Sequence, residues 1–163
     1  MIFTGGCGGK QESKQGPAVT GQDWDAVVAQ AKGSTVYYYG WGGDQRINKW
    51  LDETVAPKLQ DIYGIKLVRV GMNINEILTK LTGEKQAGRE SGSIDVVWIN
   101  GENFYTAKKN SLLYGPFAQD LQAVKRYIDS RDTDSQYDFG QPIEGYEAPY
   151  GKAQLVMIYD SAK

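Results

Sequence analysis

Residues 94–99 read Ile-Asp-Val-Val-Trp-Ile and are apolar at every position except Asp95. A short run without polar alternation is typical of a central strand in a parallel sheet, buried on both faces. Residues 35–39 (Thr-Val-Tyr-Tyr-Tyr) and 65–70 (Ile-Lys-Leu-Val-Arg-Val) have the β-branched and aromatic character of two further strands. The sequence therefore predicts three parallel strands, with 94–99 as the buried third one.

Helical spacing of apolar residues separates these strands. It predicts helices over 24–31, over 44–63 and from 74 to about 89, a helix after residue 103 with Phe104 and Ala107 on one face, and a later helix over 119–129. Pro57 is expected to kink or split the second helix near Ala56, because proline cannot donate a backbone hydrogen bond. The order β-α-β-α-β-α predicts an α/β fold, three-layer α/β/α, with a mostly parallel sheet and helices on both faces.

The chain divides into three parts by composition. Residues 1–22 are rich in Gly, Ser, Gln and Lys, which predicts a flexible tether. Residues 23–152 form the α/β lobe. Residues 153–159 (Ala-Gln-Leu-Val-Met-Ile-Tyr) predict a last strand, whose apolar edge is expected to favour self-association.

Composition favours binding over catalysis. The 163 residues contain no histidine and one cysteine, which excludes histidine-based general base catalysis, Ser-His-Asp and Cys-His nucleophiles, and cysteine-rich metal sites. The net charge is −2 and the sequence pI is about 5.2, so a basic face for nucleic acid is not expected. No cofactor and no metal is predicted.

Three loops follow the predicted strands, at residues 40–44, 71–73 and 100–103. In parallel sheets ligands bind at the carboxyl ends of the strands, where these loops meet. In the first, Trp41-Gly42-Gly43-Asp44 combines an aromatic ring, two glycines and a carboxylate before a helix. The glycines would let an anion approach the backbone, and Trp41 would stack on a cation or a flat ring. The alternative is a tight turn with Asp44 as a helix cap.

The third loop, Asn100-Gly101-Glu102-Asn103, supplies amides and a carboxylate that suit a polar or cationic solute, or else Asn100 simply caps a helix. Asn73 of the second loop has capping-box spacing to Glu76. Three aromatic segments are also considered: Tyr37-Tyr38-Tyr39 and Trp98 are expected in the core, with Tyr39 nearest a strand end, and Tyr150 is a candidate aromatic wall.

Residues 36–43 (Val-Tyr-Tyr-Tyr-Gly-Trp-Gly-Gly) resemble the first strand and loop of bacterial ABC-transporter solute-binding proteins, in the two-lobed class of thiamine, iron and polyamine binders. Residues 93–104 with 113–117 are similar to a narrower, thiamine-like and uncharacterised branch. The resemblance covers the chain from Asp23. It implies the first lobe of a periplasmic-binding-protein type II-like fold, with half of an interlobe cleft, a captured small solute and a membrane ABC permease as partner.

Carried over by position, the resemblance implies that Trp41, Gly42 and Gly43 form the first ligand loop and that Asn100, Gly101 and Glu102 form the third. Tyr150 and Gly151 match the segment before the hinge. Members of this class are longer two-lobed chains, so we expect 153–163 to begin the crossing to a second lobe, where the chain is truncated.

Cys7 follows Thr4-Gly5-Gly6 and precedes a polar spacer, which is similar to the lipidated anchor of a bacterial lipoprotein. A lipid-anchored protein at the outer face of the cell membrane or in the periplasm is the corresponding expectation. The alternative functions are a small flavodoxin-like enzyme that uses Asp44 and Glu102, and an interaction domain without a ligand.

Overall fold

The computed structural model describes residues 23–151 and Asp160. The predicted tether with Cys7 and the predicted strand 153–159 lie outside the described residues. No helix in the described part of the chain is both long and apolar enough to cross a membrane.

The first half of the lobe alternates strands and helices. Its elements are α1 (Trp24–Ala31), β1 (Thr35–Gly40), α2 (Gln45–Trp50), a π-helical segment (Leu51–Val55), α3 (Ala56–Tyr63), β2 (Lys66–Gly71), α4 (Ile74–Gln86), β3 (Val96–Val97) and α5 (Gly101–Lys109). A 3-10 turn (Ala118–Asp120), α6 (Gln122–Tyr127), a second 3-10 turn (Thr133–Ser135) and the strands β4 (Tyr137–Asp138) and β5 (Gln141–Pro142) follow. The α/β class and the parallel sheet flanked by helices are therefore confirmed.

Local signals set most of the helix boundaries. Asp23 caps α1 by accepting from the Asp25 N–H, and Gly64 ends α3 in the left-handed conformation at φ 68°. Pro57 lies in the first turn of α3, directly after the π-helical segment. The chain stays helical from Gln45 to Tyr63 and is not split, but it changes from a π-helical to an α-helical segment at Ala56, next to Pro57, which has no N–H to donate.

Strand β1 is the centre of the sheet. It pairs in parallel with β2 from Thr35↔Lys66 to Gly40↔Gly71, and with β3 only at Tyr38↔Val96 and Tyr39↔Val97. An ion pair joins the sheet to the helical layer. The Arg69 guanidinium of β2 donates to both carboxylate oxygens of Asp52, on the π-helical segment, at 2.9 and 2.6 Å. This ion pair holds the pKa of Asp52 below its usual value.

The prediction of a long, buried, central third strand is wrong for the described residues. There β3 is two residues long, lies at the edge of the sheet, and leaves Val96 45% exposed. Just before β3, Asp95 bonds twice to β1: its N–H donates to the Tyr37 carbonyl at 3.1 Å, and its Oδ2 accepts from the Tyr37 N–H at 2.8 Å. Apolar composition predicted a strand but did not determine how many neighbours it has.

The aromatic core prediction is correct for Tyr39, which is 8% exposed, and wrong for Tyr37 and Trp98, which are exposed. Tyr37 precedes the part of β1 that pairs with β3, and Trp98 lies just beyond β3. Because β3 is the outer strand of the described sheet, no further described strand lies beyond it to cover these rings. The buried apolar side chains of the described region are Tyr39, Leu51, Ile77, Phe104, Ala107 and Ala118.

The predicted helix over 119–129 is shorter and broken. Leu121 adopts an extended conformation with ψ 126° and separates the 3-10 turn from α6. The predicted turn-rich region 130–147 contains the β4–β5 hairpin, which sequence reasoning did not identify. Phe139 and Gly140 form its two-residue turn with φ 46° and 79°, both positive, as a type I′ hairpin requires.

Candidate functional site

The loops after β1 and β2 lie against each other. Met72 N–H donates to the Gly40 carbonyl at 3.0 Å, and a side chain on Gly42 would meet the Gly71 Cα at 3.2 Å. The Asn48 side chain donates to the Gly42 carbonyl at 2.7 Å. Glycine at 42 and 71 therefore permits a close backbone contact between the two loops.

Trp41 and Asp44 have different environments within the first loop. The Trp41 ring covers the Gly43 backbone and is 64% exposed. Asp44 caps α2, because its Oδ1 accepts from the Arg46 and Ile47 N–H groups at 2.8 and 3.2 Å. These bonds hold the pKa of Asp44 below its usual value. The capping role of Asp44 is thus confirmed, and Trp41 remains available at the surface.

Asn73 and Asn100 both stand at helix starts. Asn73 forms the predicted capping box with Glu76, and its N–H donates to Glu76 Oε2 at 3.2 Å. Asn100 occupies the cap position of α5, but its side chain makes no capping bond. Instead the next N–H, that of Gly101, donates to the Asp138 carboxylate of the hairpin. The amide of Asn100 is therefore not used as a helix cap.

A large cavity of about 1310 Å³ lies beside β3. Its walls are consecutive residues 95–100, the segment 133–135, residues 137–140, and residues 146–151. Aromatic rings come from several elements: Trp24, Tyr38, Trp98, Tyr114, Tyr146 and Tyr150. Burial and the nearby Tyr150 raise the pKa of Tyr38, while Arg69 opposes the shift. The cavity is thus predominantly aromatic and apolar, with polar groups at a few points.

Carboxylates are the charged groups of this cavity. They belong to Asp95, Asp120, Asp134, Asp138 and Glu147, and no lysine or arginine is among the described residues that line it. Glu147 is half-buried, and its burial, together with repulsion from Asp138, raises its pKa to about 8 against the opposing effect of Lys108. No group of histidine, cysteine and acidic side chains in the described part of the chain is arranged to hold a metal ion.

A smaller cavity of about 420 Å³ lies between Asp44, Arg46, Ile47, Trp50 and Tyr150. Tyr150 lines both cavities and so connects the first loop with the segment 146–151. Of the predicted site residues, Asn100 and Tyr150 line the large cavity, and Asp44 and Tyr150 line the small one.

The other predicted site residues line neither cavity: Tyr39, Trp41, Gly42, Gly43, Asn73, Gly101 and Glu102. Tyr39 is in the core, and Glu102 is exposed on the first turn of α5. Sequence reasoning did not identify Asp138 and Glu147. The Asp-Phe-Gly turn signal at 138–140 was available for Asp138, whereas nothing local distinguished Glu147 from a solvated acid.

A substitution at Gly101 tests the left-handed backbone conformation at the first residue of α5. Gly101→Ala is expected to lower the free energy of unfolding by about 1–2 kcal/mol, because residue 101 has φ 58°, in the left-handed region. Urea unfolding followed by circular dichroism measures the change. Gly83→Ala is the matched control. Its new methyl group has no neighbour within 4 Å on α4, and it is expected to stabilise by about 0.5–1 kcal/mol. Equal effects of the two substitutions on stability would contradict the left-handed conformation at residue 101.

Two comparisons with known proteins find similar sequences. Residues 53–163 match the family described as bacterial extracellular solute-binding protein. The Escherichia coli (strain K12) Protein YnjB is 38% identical over 144 residues, which cover 86% of this chain and 36% of that protein. The chain thus spans about a third of the length of this curated relative, and no solved structure matches it. The chain belongs to the bacterial extracellular solute-binding protein family.

Proposed function

We propose that the chain is part of the substrate-binding component of an ABC transporter and supplies the first of its two lobes. It captures a small solute and delivers it to a membrane permease. The observation that carries this proposal is the aromatic cavity of about 1310 Å³ beside β3, which is lined by the segment that follows this strand, residues 98–100. Concave, mostly apolar pockets with a few polar groups are the usual form of small-molecule sites.

Binding is favoured over catalysis. Membership of a solute-binding family supports a ligand-binding role. The flavodoxin-like enzyme alternative needed Asp44 and Glu102 as a working pair. Asp44 is engaged as the cap of α2, Glu102 is exposed on α5, and neither cavity contains both side chains. Nothing in the described site favours that alternative.

The solute is of the kind taken by thiamine, iron or polyamine binders, and the transporter's site is completed by a second lobe. The exposed ring of Trp41 and the exposed carboxylate of Glu102 then face that second lobe rather than the cavities of this one. Anchoring through an acylated Cys7 on the outer face of the membrane or in the periplasm belongs to the same proposal, as does self-association through an exposed lobe face.

The test is calorimetry on the longer two-lobed protein with thiamine, spermidine and ferric ion as probes. Trp41→Ala is expected to weaken binding by about 1 kcal/mol or more through loss of an aromatic contact. Glu102→Ala is expected to cost about 1.5–3 kcal/mol through loss of a charge-assisted hydrogen bond. Neither change is expected to unfold the lobe, since both side chains are exposed.

Tyr127→Ala is the control, because Tyr127 is 72% exposed on α6 and lines neither cavity. Its affinity for the solute is expected to match that of the unaltered protein. Unchanged binding in both loop variants would place the contacts elsewhere, and failure of the two-lobed protein to bind any probe would overturn the proposed function.

A further inference from the structure

The carboxylates of the large cavity differ in whether they have a hydrogen-bond or ion-pair partner. Asp95 accepts the Tyr37 N–H, Asp138 accepts the Gly101 N–H, and the Asp120 carboxylate lies 4.0 Å from Lys125 Nζ. Asp134 is also engaged in an interaction. By contrast, Glu147 has no hydrogen bond or ion pair within the described residues. Among the acids of the cavity, Glu147 is therefore the one without a direct partner in the described part of the chain.

Lys108 lowers the pKa of Glu147 from a distance but does not pair with it directly. Its ammonium group lies 2.6 Å from the Glu144 carboxylate and donates to the Pro142 carbonyl at 2.7 Å. It also lies 5.7 Å from the centroid of the Tyr146 ring. The hairpin side of the wall thus already holds this cation, and a half-buried carboxylate without a partner remains at Glu147.

We propose that Glu147, with Asp138 nearby, recognises a positively charged group on the solute, while the aromatic walls hold the body of that solute. This inference rests on the proposed function and names its substrate class, an organic cation with a flat or apolar part. Tyr38, Trp98 and Tyr150 all line the same cavity, and aromatic rings are favourable neighbours of a cation. A cavity without lysine or arginine among its described lining residues would repel anionic solutes.

Binding is coupled to a proton. With a pKa raised to about 8, Glu147 is mostly neutral at pH 7 in the empty cavity. When the cation enters, the carboxyl O–H bond breaks, the proton passes to solvent and the carboxylate pairs with the cation. Affinity for the cation is therefore expected to rise between pH 6.5 and pH 8.5. The titratable and charged groups around Glu147 are Asp138, Lys108, Tyr146 and Tyr150, with Asp95, Asp120 and Asp134 on the other walls.

The test uses the 163-residue chain itself, titrated by nuclear magnetic resonance with thiamine, a cation, and with thiochrome, a neutral molecule of similar ring content. Thiamine affinity is expected to rise about tenfold from pH 6.5 to pH 8.5. Glu147→Gln is expected to remove that pH dependence and to weaken thiamine binding at pH 8.5 about tenfold or more. Thiochrome binding is expected to be insensitive to both changes.

Glu53→Gln is the matched control, since it removes the same charge from an exposed position outside the cavity. Its thiamine affinity is expected to be unchanged at both pH values. Equal binding of thiamine and thiochrome, or an equal loss of both in Glu147→Gln, would overturn the inference. So would the absence of a saturable shift with thiamine, spermidine or choline. These results concern the selectivity of this lobe, whereas the proposed function fails only if the two-lobed protein captures no solute.

Discussion

Phe104→Ala is expected to lower the free energy of unfolding by about 3–5 kcal/mol. Phe104 is fully buried, with 0% exposure, on the inner face of α5 together with Ala107. Removing its ring deletes buried apolar surface and leaves a void that the surrounding helices fill only in part. Urea unfolding of the chain, monitored by tryptophan fluorescence, measures the change.

Tyr105→Ala is the paired control, because Tyr105 is the next residue of the same helix and is 43% exposed. It loses the contact of its ring with Lys109 Nζ, 5.5 Å from the ring centroid, which is worth about 0.5–1 kcal/mol at the surface. Phe104→Leu, which keeps most of the volume, is expected to fall between the two. If Phe104→Ala abolishes the cooperative transition, Phe104→Leu still reports the burial. Similar costs at positions 104 and 105 would contradict the assigned face of α5.

That face of α5 was predictable from sequence, and the reason is its locality. Phe104 and Ala107 are three residues apart, which places them on one side of a helix without knowledge of any other element. The same holds for the Asp23 cap, the Asn73–Glu76 capping box and the irregularity of the second helix next to Pro57. In each case the interacting groups lie within a few residues of one another, so the pattern contains the physical cause.

The placement of β3 and the hairpin was not predictable in this way. The apolar run at 94–99 predicts a strand, but the number of its neighbours depends on where distant segments lie. Likewise, Asp138 satisfies the first N–H of α5 from a position 37 residues further along the chain. The sequence pattern predicted that the Asn100 side chain would cap α5. In the structure the Asp138 carboxylate accepts the first N–H of that helix instead.

The candidate site also combines features that the sequence predicts with features that depend on distant segments. Strand-end loops were expected to meet because parallel strands share a carboxyl edge, and the contact of Gly42 with Gly71 shows two of them doing so. The raised pKa of Glu147 arises from its burial and from Asp138 of the hairpin, while Lys108 of α5 opposes the shift. No local motif encodes that combination.

Glu147 also makes the stability of the empty chain depend on pH. Its pKa is about 8 in the folded protein and near its ordinary value of about 4.3 when unfolded, so the folded state holds the proton more tightly. The resulting stabilisation is complete below about pH 4.3 and is lost as the pH rises through 8. From pH 5.5 to pH 8.5 we expect the free energy of unfolding to fall by on the order of 1–2 kcal/mol through this group, since water partly screens a half-buried carboxylate.

The measurement is the difference between the unaltered chain and Glu147→Gln in urea unfolding at pH 5.5 and at pH 8.5. Glutamine keeps the shape and remains neutral in both states, so the variant is expected to be slightly more stable than the parent at pH 5.5, where the unfolded parent is already ionised, and to exceed it by a larger margin at pH 8.5. Asp44, Asp52, Glu84 and Asp129 do not interfere, because their pKa values are lowered and they are ionised in both states throughout this range. Parallel pH profiles for the two proteins would show that Glu147 ionises as freely as a surface acid, and the cavity would then lack the desolvated carboxyl group on which cation recognition depends.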